Sequence, residues 1–147
     1  MTSCDITVIG LGINLFALLY NNRQANSREA RKEIRAKLDQ LDTALSALLD
    51  SSKKYYLDMD VPLSIENVKI HETINACERH IGEFSHFKNG ISLYSDFYII
   101  FDMVTGGKFE SKQHNPGDHN ADLCKKISIQ KELLIAKAEG WFNKQYR

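Results

Sequence analysis

The sequence predicts an all-α protein: an N-terminal single transmembrane helix followed by a small cytosolic four-helix bundle whose first helix is heptad-patterned. Three observations lead there. A run of 17 uncharged residues, Ile6–Asn22, opens the chain between Asp5 and Arg23. Apolar residues then recur at steps of three and four through most of the remaining chain. Only 2 prolines and 8 glycines occur in 147 residues, with 43% hydrophobic and 26% charged residues, which suits an ordered helical chain and argues against disorder.

That length fits one compact body with an appended segment. Lys plus Arg and Asp plus Glu number 19 each, so no net field draws the chain to polyanions, and general nucleic-acid binding is not expected. Cys4, Cys77 and Cys124 are too few for a closed disulfide framework and have no CxxC spacing, so a reducing compartment is expected for most of the chain.

As a helix, Ile6–Asn22 spans roughly 25 Å, the short edge of what crosses a bilayer. Asp5 ahead of the run and Tyr20-Asn21-Asn22 behind it do not fit a cleaved secretory signal, and Cys4 stands on the wrong side for a bacterial lipid anchor. Behind the run come Arg23, Arg28, Arg31, Lys32, Arg35 and Lys37 against Glu29 and Glu33, a net charge of +4. The positive-inside rule then leaves a short outer N-terminus and a cytosolic body, as in a single-pass protein of the bacterial inner membrane. The basic cluster also favours anionic lipid headgroups. Gly10 and Asn14 share a face at i, i+4, which predicts self-association of the anchor. Ile6 to Gly12 also resembles the first strand and phosphate turn of a dinucleotide-binding domain. That fingerprint needs a third glycine where Leu15 stands, and a charged helix comes next instead of a βαβ unit. A buried helix in a soluble domain is the remaining alternative.

Asn26 and Glu29 have N-cap to N3 spacing and predict a helix from Ser27 to about Tyr56, so residues 1–26 are expected to hold the anchor and a juxtamembrane turn, and 27–147 the cytosolic domain. Ile34, Leu38, Leu41, Leu45 and Leu48 step by 4, 3, 4 and 3, a seam continued by Tyr55 and interrupted by Ser52. It can pair with a second copy, giving a homo-oligomer, or pack on later helices of the same chain. Asp58 to Pro62 breaks this helix. Ser64 is expected to cap the next, over Ile65 to His86, with Val68, Ile70, Ile74, Cys77 and Ile81 buried. A turn at Lys88-Asn89-Gly90 leads to an aromatic core helix over Ile91–Val104, stopped by Thr105-Gly106-Gly107. Beyond it lie a polar connection, longer than a bundle needs, and then a helix from His119 to Tyr146 with Leu123, Ile127, Leu134, Ala138 and Trp141 on one side.

No catalytic constellation emerges, and the chain is not expected to be an enzyme or to need a cofactor or metal. Cys77, His80 and His86 lack a partner pair of metal-type spacing, and His114, Asp118, His119 and Cys124 are better explained by loop composition. Asp58 and Asp60 suit capping and solvation better than acid–base work. Gly106-Gly107-Lys108 is no Walker motif, since the longer loop, the Ser/Thr after Lys and the preceding strand are missing. A Gly-Gly bend beside Lys108, Lys112, His114 and His119 can nevertheless receive a phosphate or nucleotide, so these six residues are the expected ligand site. The functional expectation is a membrane-anchored oligomeric interaction or sensor protein, partnered by the bilayer, a second copy and a small anionic ligand or a protein. Its alternative is a ligand-gated membrane effector of an antiphage system, responding to a nucleotide second messenger.

Overall fold

The structure is a computed structural model. It describes the backbone of residues 3–60, 62–87, 89–107, 109–111 and 114–146, and side chains from residue 17 onward within those ranges. Among the described residues there are four α-helices and no strand: α1 (Ser3–Leu57), α2 (Leu63–His86), α3 (Tyr94–Thr105) and α4 (Ala121–Tyr146), the last entered through a 3-10 turn, Asp118–Asn120. The chain divides into two compact units, Met1–Ala36 and Lys37–Arg147.

α1 is helical without a break where the sequence predicts a turn before Ser27. No glycine or proline occurs between Gly12 and Pro62, so Asn26 and Ser27 have cap-forming side chains but no backbone reason to leave the helix. Within the first unit every described position from 17 to 29 is exposed, including Leu18, Leu19 and Tyr20. Among the described residues no helix is long and apolar enough to cross a membrane. The transmembrane helix expected over Ile6–Asn22 lies outside the described side chains as far as Phe16, and so do Gly10 and Asn14.

The seam is buried inside the chain. Ile34, Leu38, Leu41, Leu45 and Leu48 are each no more than 2% exposed within the single chain, which matches the packing alternative more closely than an open face for a second copy. Ser52, which breaks the apolar pattern, is fully buried in line with them, and its hydroxyl donates to the Leu48 carbonyl at 2.7 Å. A hydroxyl satisfied by its own helix can sit in a core stripe without an orphaned polar atom.

α2 buries Glu66, Ile70, Ile74, Cys77, Ile81 and Phe84, at steps of 4, 4, 3, 4 and 3. Val68, expected in the stripe, is 57% exposed because it lies two residues from Ile70, on another face. Glu66 takes its place, with its carboxylate held by Lys69 at 2.6 Å. The helix starts at Leu63, one residue ahead of Ser64, with Pro62 at the N-cap. Asp58 acts locally, as its carboxylate accepts the Asp60 amide at 2.9 Å in the break after α1.

α3 is shorter than the sequence suggests and buries Phe97, Ile100 and Val104, with Leu93 at its N-cap. On α4 the stripe is Cys124, Ile127, Leu134, Ala138 and Trp141. Cys124 replaces the expected Leu123, since a step of three from Ile127 keeps the face. The gap between Ile127 and Leu134 is filled by Lys131, whose side chain is 12% exposed and whose ammonium meets Asp42 of α1 at 2.7 Å.

Two ion pairs across helices set a pH window. Burial works against the Lys131 ammonium, but its hydrogen bond to Asp42 and the Asp42 charge win and raise its pKa. Burial likewise pushes Glu83 up, while the hydrogen bond from Lys37 at 3.0 Å and the Lys37 and His80 charges hold it below the usual glutamate value. The depressed carboxylate contributes stability above its unfolded pKa, which is lost as pH falls through the folded value. The raised ammonium contributes below its unfolded pKa, and that is lost as pH rises through the folded value. Thermal midpoints are therefore expected to be flat at neutral pH and to fall on both sides, at the acid end less steeply in Glu83→Gln and at the alkaline end less steeply in Lys131→Met. Unchanged slopes in both variants would remove these pairs from the account.

Candidate functional site

A helix end leaves its last carbonyls without intrahelical partners. At the end of α1 these are supplied by the connection between α3 and α4. The Tyr55 carbonyl lies 3.0 Å from His114 Nε2, and the Tyr56 carbonyl accepts the Gly117 amide at 2.9 Å and Asn120 Nδ2 at 2.9 Å. The two tyrosines return the contact, since the Tyr55 hydroxyl accepts the Glu110 amide at 2.9 Å and the Tyr56 hydroxyl donates to the Val104 carbonyl at 2.6 Å. His114 also stacks on the Tyr55 ring, with centroids 4.2 Å apart. Glu110 has a φ of 57°, unusual for a residue with a side chain. Its carboxylate meets His71 of α2 at 2.9 Å, and the hydrogen bond from His71, followed by that from Asn67, holds it below the usual value. The polar connection is thus a cap on α1, which explains part of its length.

Beside this clasp lies a pocket of 340 Å³ bordered by the last turn of α1, the end of α3 and the start of α4. Of the six residues expected to bind a ligand, Gly106, Gly107, His114 and His119 line it together; Lys108 and Lys112 lie outside the described residues. Their roles differ. A side chain at Gly106 would collide with the Asp102 carbonyl, to which the Gly106 amide donates at 2.8 Å in closing α3, so this glycine serves close backbone packing. Gly107 has a φ of +63° with open space around it, leaving its backbone approachable. His114 has one nitrogen committed to the Tyr55 carbonyl. His119 is exposed at the rim.

The sequence did not single out Tyr56, Asp102, Asn115 or Asn120, which also line the pocket. Tyr56 and Asn120 are 64 positions apart, a distance no local pattern bridges. Burial, with smaller contributions from Tyr55 and Cys124, keeps the Tyr56 phenol protonated far above its ordinary range, so it is a neutral wall. Asp102 was legible only as a charge within an apolar run.

The cysteine clusters behave as core. Burial pushes the Cys77 thiol up to about 12 and raises that of Cys124, and both are buried and unpaired. His80 faces Glu83 at 3.6 Å. Among the described residues no group of three or more His, Cys, Asp or Glu side chains could hold a metal ion. A thiol both buried and held protonated reacts slowly. In a Cys4→Ser background, alkylation at pH 8 is expected to leave Cys77 and Cys124 unmodified until denaturant unfolds the chain; rapid labelling of either in the native state would show that this part of the core opens.

Comparison with protein-family models, with curated proteins and with solved structures finds no match for this chain.

Proposed function

We propose that the protein is a membrane-tethered binding protein that holds a small polar ligand in the pocket at the ends of α1, α3 and α4, and acts by binding rather than catalysis. The observation that carries this reading is the convergence of Gly106, Gly107, His114 and His119 on one pocket whose volume lies within the usual small-ligand range. Asp102 offers acceptors, Asn115 both donors and acceptors, and Gly107 an approachable backbone. A ligand that is only an anion would meet the Asp102 carboxylate unfavourably. A nucleotide, with base and sugar donors beside its phosphate, matches the mixture better. The uncharged run Ile6–Asn22, with Leu18, Leu19 and Tyr20 exposed at its end, supports a membrane tether, and Gly10 and Asn14 are where self-association of that tether is sought. The stricter version, a nucleotide-gated membrane effector of an antiphage system, is favoured by one detail: Tyr56, in the last turn of the helix that carries the tether, is itself a wall of the pocket.

The test is a thermal-shift screen of nucleotides, cyclic and linear, on the full chain in detergent. A ligand present at a hundred times its Kd should add about 2.7 kcal/mol to stability. Asp102→Asn with His119→Ala should erase the shift and leave the unliganded midpoint nearly unchanged, both side chains being exposed. No shift with any nucleotide, or a shift that survives the double substitution, would sink the pocket reading. For the tether, the intact chain should fractionate with membranes, and a chain shortened to begin at Ser27 should not.

A further inference from the structure

We propose that the exposed face of α1 running from Tyr20 to Arg31 is a binding site for the phosphate of anionic lipid headgroups, an inference that rests on the tether reading. Tyr20, Gln24, Ser27, Arg28 and Arg31 succeed one another at helical spacing and share one face. Gln24, Ser27, Arg28 and Arg31 line a shallow recess of 220 Å³, and Gln24 Nε2 donates to the Tyr20 hydroxyl at 3.0 Å, joining the aromatic residue to the polar stripe. Among the described residues neither Arg28 nor Arg31 is paired with a carboxylate. Two guanidiniums one turn apart repel each other, and an anion bound between them removes that repulsion; the planar guanidinium also matches phosphate in a bidentate way.

The surroundings choose the source of the phosphate. Leu18, Leu19 and Tyr20 are 67%, 62% and 57% exposed, and the first charge after them is Arg23. Arg28 is eight residues beyond Tyr20, about 12 Å along the helix. Helix side chains lean toward the N-terminus, and long basic ones snorkel, so its guanidinium reaches back several ångströms. The headgroup layer extends roughly 5–7 Å beyond the hydrocarbon, so with Tyr20 at the interface Arg28 meets lipid phosphates, and Arg31 lies within a Debye length of them. A soluble phosphate would give Leu18 and Leu19 no cover.

The test synthesises the full chain in a cell-free reaction with preformed vesicles of phosphatidylcholine alone or with about 30% phosphatidylserine, and measures co-flotation. Each arginine near an anionic surface should favour binding roughly fivefold, so the bound-to-free ratio should rise by about thirtyfold with phosphatidylserine through this pair. Arg28→Gln with Arg31→Gln should remove that gain, and high salt during binding should flatten it. Equal flotation with both vesicles, or a gain that the double substitution leaves undiminished, overturns the headgroup site and leaves the tether standing. Failure to float with either vesicle overturns the tether as well.

Discussion

Leu41→Ala is expected to destabilise the protein by about 3 kcal/mol and to lower its thermal midpoint by about 10 °C. Leu41 is completely buried in the middle of the α1 stripe, between Leu38 and Leu45, which are 2% and 1% exposed. Removing its branched end leaves a cavity whose neighbours belong to a packed core and relax only in part. Leu41→Asp should prevent folding, because a carboxylate there would be buried without a partner. Circular dichroism melts at several protein concentrations provide the check. If the seam belongs to the chain's own core, the drop is the same at every concentration. A folded Leu41→Asp monomer would instead return the seam to an interface between copies.

Trp141→Ala should cost about 4 kcal/mol, and Trp141→Phe about 1–2 kcal/mol. Trp141 joins three parts of the second unit: its ring meets Phe84 of α2 edge-on at 6.0 Å, lies 6.3 Å from Phe87, and its Nε1 donates to the Asn89 carbonyl at 2.8 Å. Alanine loses the ring and the hydrogen bond together. Phenylalanine keeps most of the apolar contact and leaves the Asn89 carbonyl unpaired, so the difference between the variants isolates ring packing from the bond. Urea titrations followed by circular dichroism are the measurement, since this is the only tryptophan in the chain and its fluorescence is lost in both. Equal losses would mean that the hydrogen bond, not the ring, ties α4 to the turn after α2.

The candidate site was half legible in the sequence. Gly106 and Gly107 stand out because two adjacent glycines after an apolar run mark a helix stop, and His114 and His119 because they fall in a connection too long for its task. The same observation gave them one common role as anion ligands, and the structure adds local uses that the pattern did not indicate. Gly106 is needed to let its backbone approach Asp102, and His114 to cap Tyr55. Neither use leaves a local mark, since each depends on a residue brought close only by folding. Tyr55 and Tyr56 look in sequence like the fraying end of a heptad helix, yet they hold the connection in place.

The sequence by itself determined that the chain is helical, where α1 breaks near Asp58, and which residues of α1 form its apolar seam. Each of these is set by spacing within a few turns of one helix, or by the residues that interrupt it. Only the tertiary structure decided that the seam turns inward, that Glu66 and Ser52 occupy core stripes while half-buried Lys131 continues the α4 stripe, and that Asp102 and Asn120 share a pocket with His119. A polar residue in such a stripe is excluded by hydropathy and admitted by a partner: Lys69 for Glu66, the Leu48 carbonyl for Ser52, Asp42 for Lys131. Where that partner lies 89 positions away, as for Lys131, no window along the chain contains both halves of the pair, and only packing brings them within 2.7 Å.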